Sequence, residues 1–155
     1  MTPEHRAAVD RMRTSADSLR RAVEGLSPDR LRVSPGSAEW AALETLTHVR
    51  DVVVHVYGLR IRRLLYEAAP VFADFDEENY RRASLARGET VQDLLDTIVA
   101  EHEQLARLVR TLSDAEWSRE GRHPTFGPVS IETLVGRVGD HAEEHAAQIA
   151  AAGRR

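Results

Sequence analysis

Four segments of this chain repeat their apolar residues at steps of three and four, and nothing reads as a convincing strand. That period belongs to amphipathic helices and restricts the fold to the all-α class. Thr2-Pro3 opens the first, since proline at the first helical position gives up a donor that would be unpaired anyway. It runs to about Gly25, a C-terminal stop. Ser27-Pro28-Asp29-Arg30 begins a short helical turn, and Ser34-Pro35-Gly36-Ser37 is a loop. The second helix extends from about Ala41 to Glu67, with Leu46, Val49, Val53, Val56, Arg60 and Leu64 along one stripe. Some 20 residues, Ala68 to Glu89, connect it to the third; Pro70, an acidic run from Asp74 to Glu78 and room for a short helix lie there.

Thr90 caps the third helix, and Asp93 in its first turn complements the helix dipole. Leu94, Leu95, Ile98, Leu105, Leu108 and Leu112 supply its buried face. Ser113 to Glu116 has capping-box spacing for one more short turn, and Gly121 to Pro128 is a loop. Ser130 caps a fourth helix that ends near Gly153. The expected architecture is a single domain, 1–155, folded as an up-and-down four-helix bundle.

Composition narrows the function classes. A net charge of −4 argues against a phosphate-tracking nucleic-acid binder. No apolar run approaches the roughly 20 residues of a membrane helix, and the N-terminus lacks a secretory core, so a cytoplasmic location is expected by default. Without cysteine there is no disulfide, thiolate ligand or cysteine nucleophile.

The seven histidines carry the chemistry. His141 and His145 stand four apart on the fourth helix, in line with Leu134 and Val138, so the pair faces the bundle interior. Two imidazoles at this spacing can share one metal ion. Taken alone the pair is a weak signal, but an unpaired imidazole within an apolar stripe is costly. His48 on the second helix is the third candidate ligand. If the second and fourth helices run parallel, His48 lies about 10 Å from its helix start and His141 about 15 Å from its own. Antiparallel packing is expected to separate them by well over 10 Å. The string His141 to His145 also fits an inverted zincin, which needs a further downstream ligand; only ten residues follow.

Glu39-Trp40, His48 with Asp51, and His141-Ala142-Glu143-Glu144-His145-Ala146-Ala147-Gln148 resemble the DinB-like metalloprotein superfamily. Asp114-Ala115-Glu116-Trp117 followed by His123-Pro124-Thr125-Phe126-Gly127 looks like its bacillithiol S-transferase branch, whose members have also been described as metal-dependent hydrolases. The likeness covers roughly Glu39 to Ile149. It implies one divalent transition metal, zinc or nickel, on His48, His141 and His145. It also implies transfer of a low-molecular-weight thiol, bacillithiol- or mycothiol-like, to small electrophiles. A glutamate replaces one histidine in the related isomerases; histidine at 141 favours the transferase-like branch.

Three neutral imidazoles leave an ion an open coordination position, a catalytic rather than a closed arrangement. The alternatives are a hydrolase using metal-bound hydroxide and a non-catalytic bundle that binds metal or a small ligand. Asp51 can accept a hydrogen bond from a ligand imidazole, with a solvated helix aspartate as the other reading, and Gln148 extends the ligand face. His55 is expected at the bundle edge, His5 on the surface, and His123 and Tyr80 on loops near the metal; His102 receives no role. The expected partners are a small-molecule substrate and a second copy in a homodimer, with no nucleic acid and no membrane.

Overall fold

The computed structural model describes residues 1–36 and 39–153; Ser37, expected in the first loop, lies outside them. Helix α1 spans Pro3–Glu24, with the Thr2 hydroxyl accepting from the His5 amide and Gly25 at its end. The second rod is continuous but composite: α2 (Ala42–Val52), a π-helical segment (Val53–Gly58) and α3 (Leu59–Tyr66). Helix α4 (Glu77–Ala86) occupies the long connection. Helix α5 (Val91–Val109) starts at the expected Thr90–Asp93 capping box, and the short α6 (Asp114–Trp117) at the Ser113–Glu116 box. Helix α7 (Ile131–Gly153) begins where the Ser130 hydroxyl accepts from the Thr133 amide. The expected turn at Ser27 is a hydrogen-bonded turn, with Leu31 N–H donating to the Ser27 carbonyl.

The loop expected at Gly121 to Pro128 is instead an antiparallel hairpin of β1 (Glu120–His123) and β2 (Gly127–Ser130). His123 pairs with Gly127 across a three-residue turn. Gly127 takes φ 74°, a left-handed angle that glycine adopts without a Cβ clash. Residues 70–72 add to β1: Phe72 N–H donates to the Arg122 carbonyl and Arg122 N–H to the Pro70 carbonyl. These elements were hidden in the sequence because two prolines and two glycines in eight residues read as loop punctuation.

The π segment changes the register of the second rod. Leu46, Val49, Val53 and Val56 are buried as the stripe requires, but beyond the buried Gly58 the next buried apolar side chains are Ile61 and Leu64. The step from 56 to 61 is five residues, as expected where an i→i+5 turn inserts one extra residue. Arg60, expected on the core stripe, is therefore rotated off it and half-buried at a cavity wall.

The four rods are α1, the second rod, α5 and α7, and their pairing corrects one expectation. Arg50 pairs with Glu89 and Arg62 with Glu101, both 39 residues apart, so the second rod and α5 run parallel. His5 lies by Glu132 and Arg11 by Asp140, so α1 and α7 are parallel as well. Arg13–Glu103 and Arg110–Asp10 make α1 and α5 antiparallel. His48 meets His145 while Tyr57, further along the rod, meets His141, so the second rod and α7 are antiparallel, not parallel. A four-helix bundle is formed, with its rods running up, down, down and up. The long connection has a physical reason here: joining two parallel neighbours requires a return along the length of the rod.

The core is one cluster drawn from all four rods, including Met12, Leu19, Leu46, Leu64, Ile98, Leu105, Val135 and Ile149. Trp117 of α6 is fully buried and stacks on His5 at 4.1 Å. His5, expected on the surface, is thereby covered, because the aromatic face of Trp117 needs a partner at the end of the bundle.

Candidate metal centre

The antiparallel sense brings His48, His141 and His145 together, against the arithmetic given above. Depth must be counted from the shared end of the bundle. His48 lies six residues after Ala42, about 9 Å, and His145 eight residues before Gly153, about 12 Å. The expected mismatch came from measuring the 23-residue α7 from its wrong end.

One nitrogen from each ring lies within 4.8 Å of the others. Ring centroids are 5.0 Å apart for His48–His141, 4.9 Å for His48–His145 and 4.4 Å for His141–His145. The Nε2 atoms of His48 and His141 approach to 3.0 Å. Two ligands of one tetrahedral zinc, each at about 2.0–2.1 Å, stand about 3.3 Å apart, so this donor set fits a single ion.

Burial sets the protonation state. It holds His48 down to about 4, with a smaller contribution from His145. It holds His141 down to about 3, helped by His145, His48 and His102. Both rings are therefore neutral at pH 7, as coordination requires. His145 Nδ1–H donates to Gln148 Oε1 at 2.8 Å, which leaves its Nε2 lone pair free. His48 Nδ1 faces the Glu77 carboxylate at 3.5 Å, from the first turn of α4. Trp40 packs against His48 at 5.1 Å, and Tyr57 edges onto His141 at 5.7 Å.

The structure sorts the remaining candidates. Gln148 touches the cluster, whereas Asp51 does not reach an imidazole: its buried carboxylate takes Arg50 at 2.8 Å, with Arg87 at 3.8 Å. An aspartate one residue from an arginine on a parallel-packed helix is drawn into the Arg50–Glu89 ion-pair network instead. His102 is buried, with Nδ1–H donating to the Ile98 carbonyl at 2.8 Å and Nε2 without a partner. His55 is exposed and rests against Tyr80, which belongs to α4 rather than to a loop. His123 is 1% exposed in β1; Nδ1 accepts from the Thr125 and Phe126 amides, so its proton sits on Nε2, 3.5 Å from Asp74. Glu77 and Tyr57 were missed, because neither lies near a ligand in sequence.

A cavity of about 690 Å³ opens over the cluster. His48 and His141 form its floor, and Tyr57, Arg60, Arg137 and His123 are among its walls. No described helix is long and apolar enough to cross a membrane.

Comparisons with known proteins agree with this geometry. The chain is 27% identical over 131 residues to the "putative metal-dependent hydrolase OB0782" of Oceanobacillus iheyensis, covering 84% of this chain and 75% of that protein. It is 25% identical over 138 residues to YfiT of Bacillus subtilis, named likewise, covering 88% and 77%. The solved YfiT structure, "a probable metal-dependent hydrolase with an unusual four-helix bundle topology", matches with a TM-score of 0.90 at 22% identity, over 100% of this chain and 89% of that one. That last likeness is one of fold. The model of the DinB superfamily matches residues 11–149, and the chain belongs to that superfamily.

Proposed function

We propose that this protein is a metal-dependent enzyme that transfers a low-molecular-weight thiol to small electrophiles, with one divalent ion, zinc or nickel, held by His48, His141 and His145. The observation that supports it is the convergence of three imidazoles, two of which, His48 and His141, line a cavity large enough for a small molecule. When bound, the ion would supply positive charge that acidifies a thiol or a water presented to it. A protein without cysteine must take its sulfur from a small cofactor.

The chain's own residues do the rest. Gln148 fixes the tautomer of His145, and Glu77 faces the outer nitrogen of His48. His123 presents an Nε2–H donor at the cavity wall, its other nitrogen held by two backbone amides. Asp74 and Glu77 are the carboxylates at the cavity able to accept a proton.

Hydrolysis is the second reading, favoured by the names of the relatives. The two separate on whether turnover requires added thiol. Elemental analysis of the purified protein, with thiol-consumption assays on metal-loaded wild type and His141→Ala over a panel of thiols and electrophiles, is the test. Equal rates for the two proteins would remove the transferase reading.

A further inference from the structure

We propose that Arg60 and Arg137 form a subsite for the carboxylate of the small molecule that occupies the cavity, about one helical turn from the three-histidine cluster. The inference rests on reading that cavity as the substrate pocket.

Other buried or half-buried guanidiniums are satisfied by carboxylates or, for Arg119, by the carbonyls of both Leu65 and Glu67. Arg50 reaches Glu89 at 2.6 Å, Arg62 reaches Glu101 at 2.6 Å, Arg63 reaches Glu67 at 2.7 Å and Arg81 reaches Glu44 at 2.7 Å. Arg60 is different. It is half-buried, packs over Phe72 at 5.4 Å and donates Nη2 to the Ala73 carbonyl at 2.7 Å, with no carboxylate within ion-pair distance. Burial, only partly offset by the charges of Tyr57 and Asp74, holds its pKa below the usual arginine value. Arg137, on α7, has no hydrogen bond or ion pair among the described residues. Both line the cavity, and both favour the ionised form of Tyr57, so the two guanidiniums face one region.

Arg137 precedes His141 by four residues, so it stands about 6 Å along α7 on the same face. Tyr57 touches His141 with its ring edge and is influenced by the Arg137 charge. A cation half-removed from water without a partner is costly unless an anion completes it, and guanidinium forks match carboxylates in geometry. The acids of the cavity are already engaged: Asp74 accepts from Thr125 Oγ1 at 3.1 Å, and Glu77 lies by His48. They also offset the positive potential, which favours a monoanionic carboxylate over a dianionic phosphate.

The test is calorimetric titration of the zinc-loaded protein with 3-mercaptopropionate, its methyl ester, the thiol-free isostere butyrate, and inorganic phosphate. The acid should bind more tightly than the ester, and Arg137→Gln should weaken the acid and butyrate by about tenfold, the scale of a lost charge-assisted hydrogen bond, while leaving the ester unchanged. Arg60→Gln should act in the same direction; Arg137 is exposed, so its substitution leaves the fold intact if Arg60→Gln does not. Equal affinity for acid and ester, acid binding indifferent to Arg137→Gln, or tighter arginine-dependent binding of phosphate would overturn the assignment. Failure of the thiol-transfer reading looks different: butyrate then binds as well as 3-mercaptopropionate, with the same arginine dependence.

Discussion

Removing the imidazoles of His48 and His141 should flatten the pH dependence of stability of the metal-free protein between pH 7 and 5. In the unfolded chain each imidazole titrates near 6.5, whereas in the fold burial holds them at about 4 and about 3. Between these limits the unfolded state binds more protons, so stability falls as pH drops through 6.5 and stops falling only below the folded values. At pH 5 both rings are still neutral in the fold, 1.5 pH units below the unfolded value, which costs about 2 kcal/mol per ring. Two rings give at most about 4 kcal/mol, and because they share one cluster with His145 the expected loss is about 2–4 kcal/mol. Glu89, held at about 2 by Arg50, loses its contribution only below the ordinary carboxylate value of 4.5, outside this window. Urea unfolding of chelator-treated protein, followed by far-ultraviolet circular dichroism at pH 7 and 5, measures the difference. His48→Gln/His141→Gln should lose about 2–4 kcal/mol less than wild type over that interval. Parallel losses in the two proteins would refute the claim that the fold holds these rings neutral.

Four further outcomes are expected. Gln148→Ala should weaken zinc binding by about 10–100-fold in a chelator competition, because the tautomer of His145 is no longer fixed. Arg50→Ala should cost about 3–5 kcal/mol in urea denaturation, since it leaves the buried Asp51 carboxylate, already with one oxygen unpartnered, short of its nearest cation. Gly58→Ala should destabilise by about 1–3 kcal/mol, because a Cβ there would collide with Glu101 Oε1 and meet the Val53 carbonyl at 2.8 Å. Gly136→Ala, in open space on α7, should instead stabilise by up to about 1 kcal/mol in the same assay.

The sequence by itself determined the four rods, their starts at Thr2, Thr90 and Ser130, and the pointing of His141 and His145 to one face. Those features are local: a cap is settled within one turn, and the facing of residues four apart follows from helical pitch. Tertiary structure decided which rods run together, and so which end of α7 meets His48. Helix direction depends on how the connections return across the bundle, a contest between packings that no single segment records. It also decided that Asp51 serves an ion-pair network, that Glu77 of the crossover helix faces a ligand ring, and that Arg60 leaves the core stripe. The last had a sequence trace, the five-residue step from Val56 to Ile61, but reading it as a π turn requires knowing which residues the neighbouring rods bury.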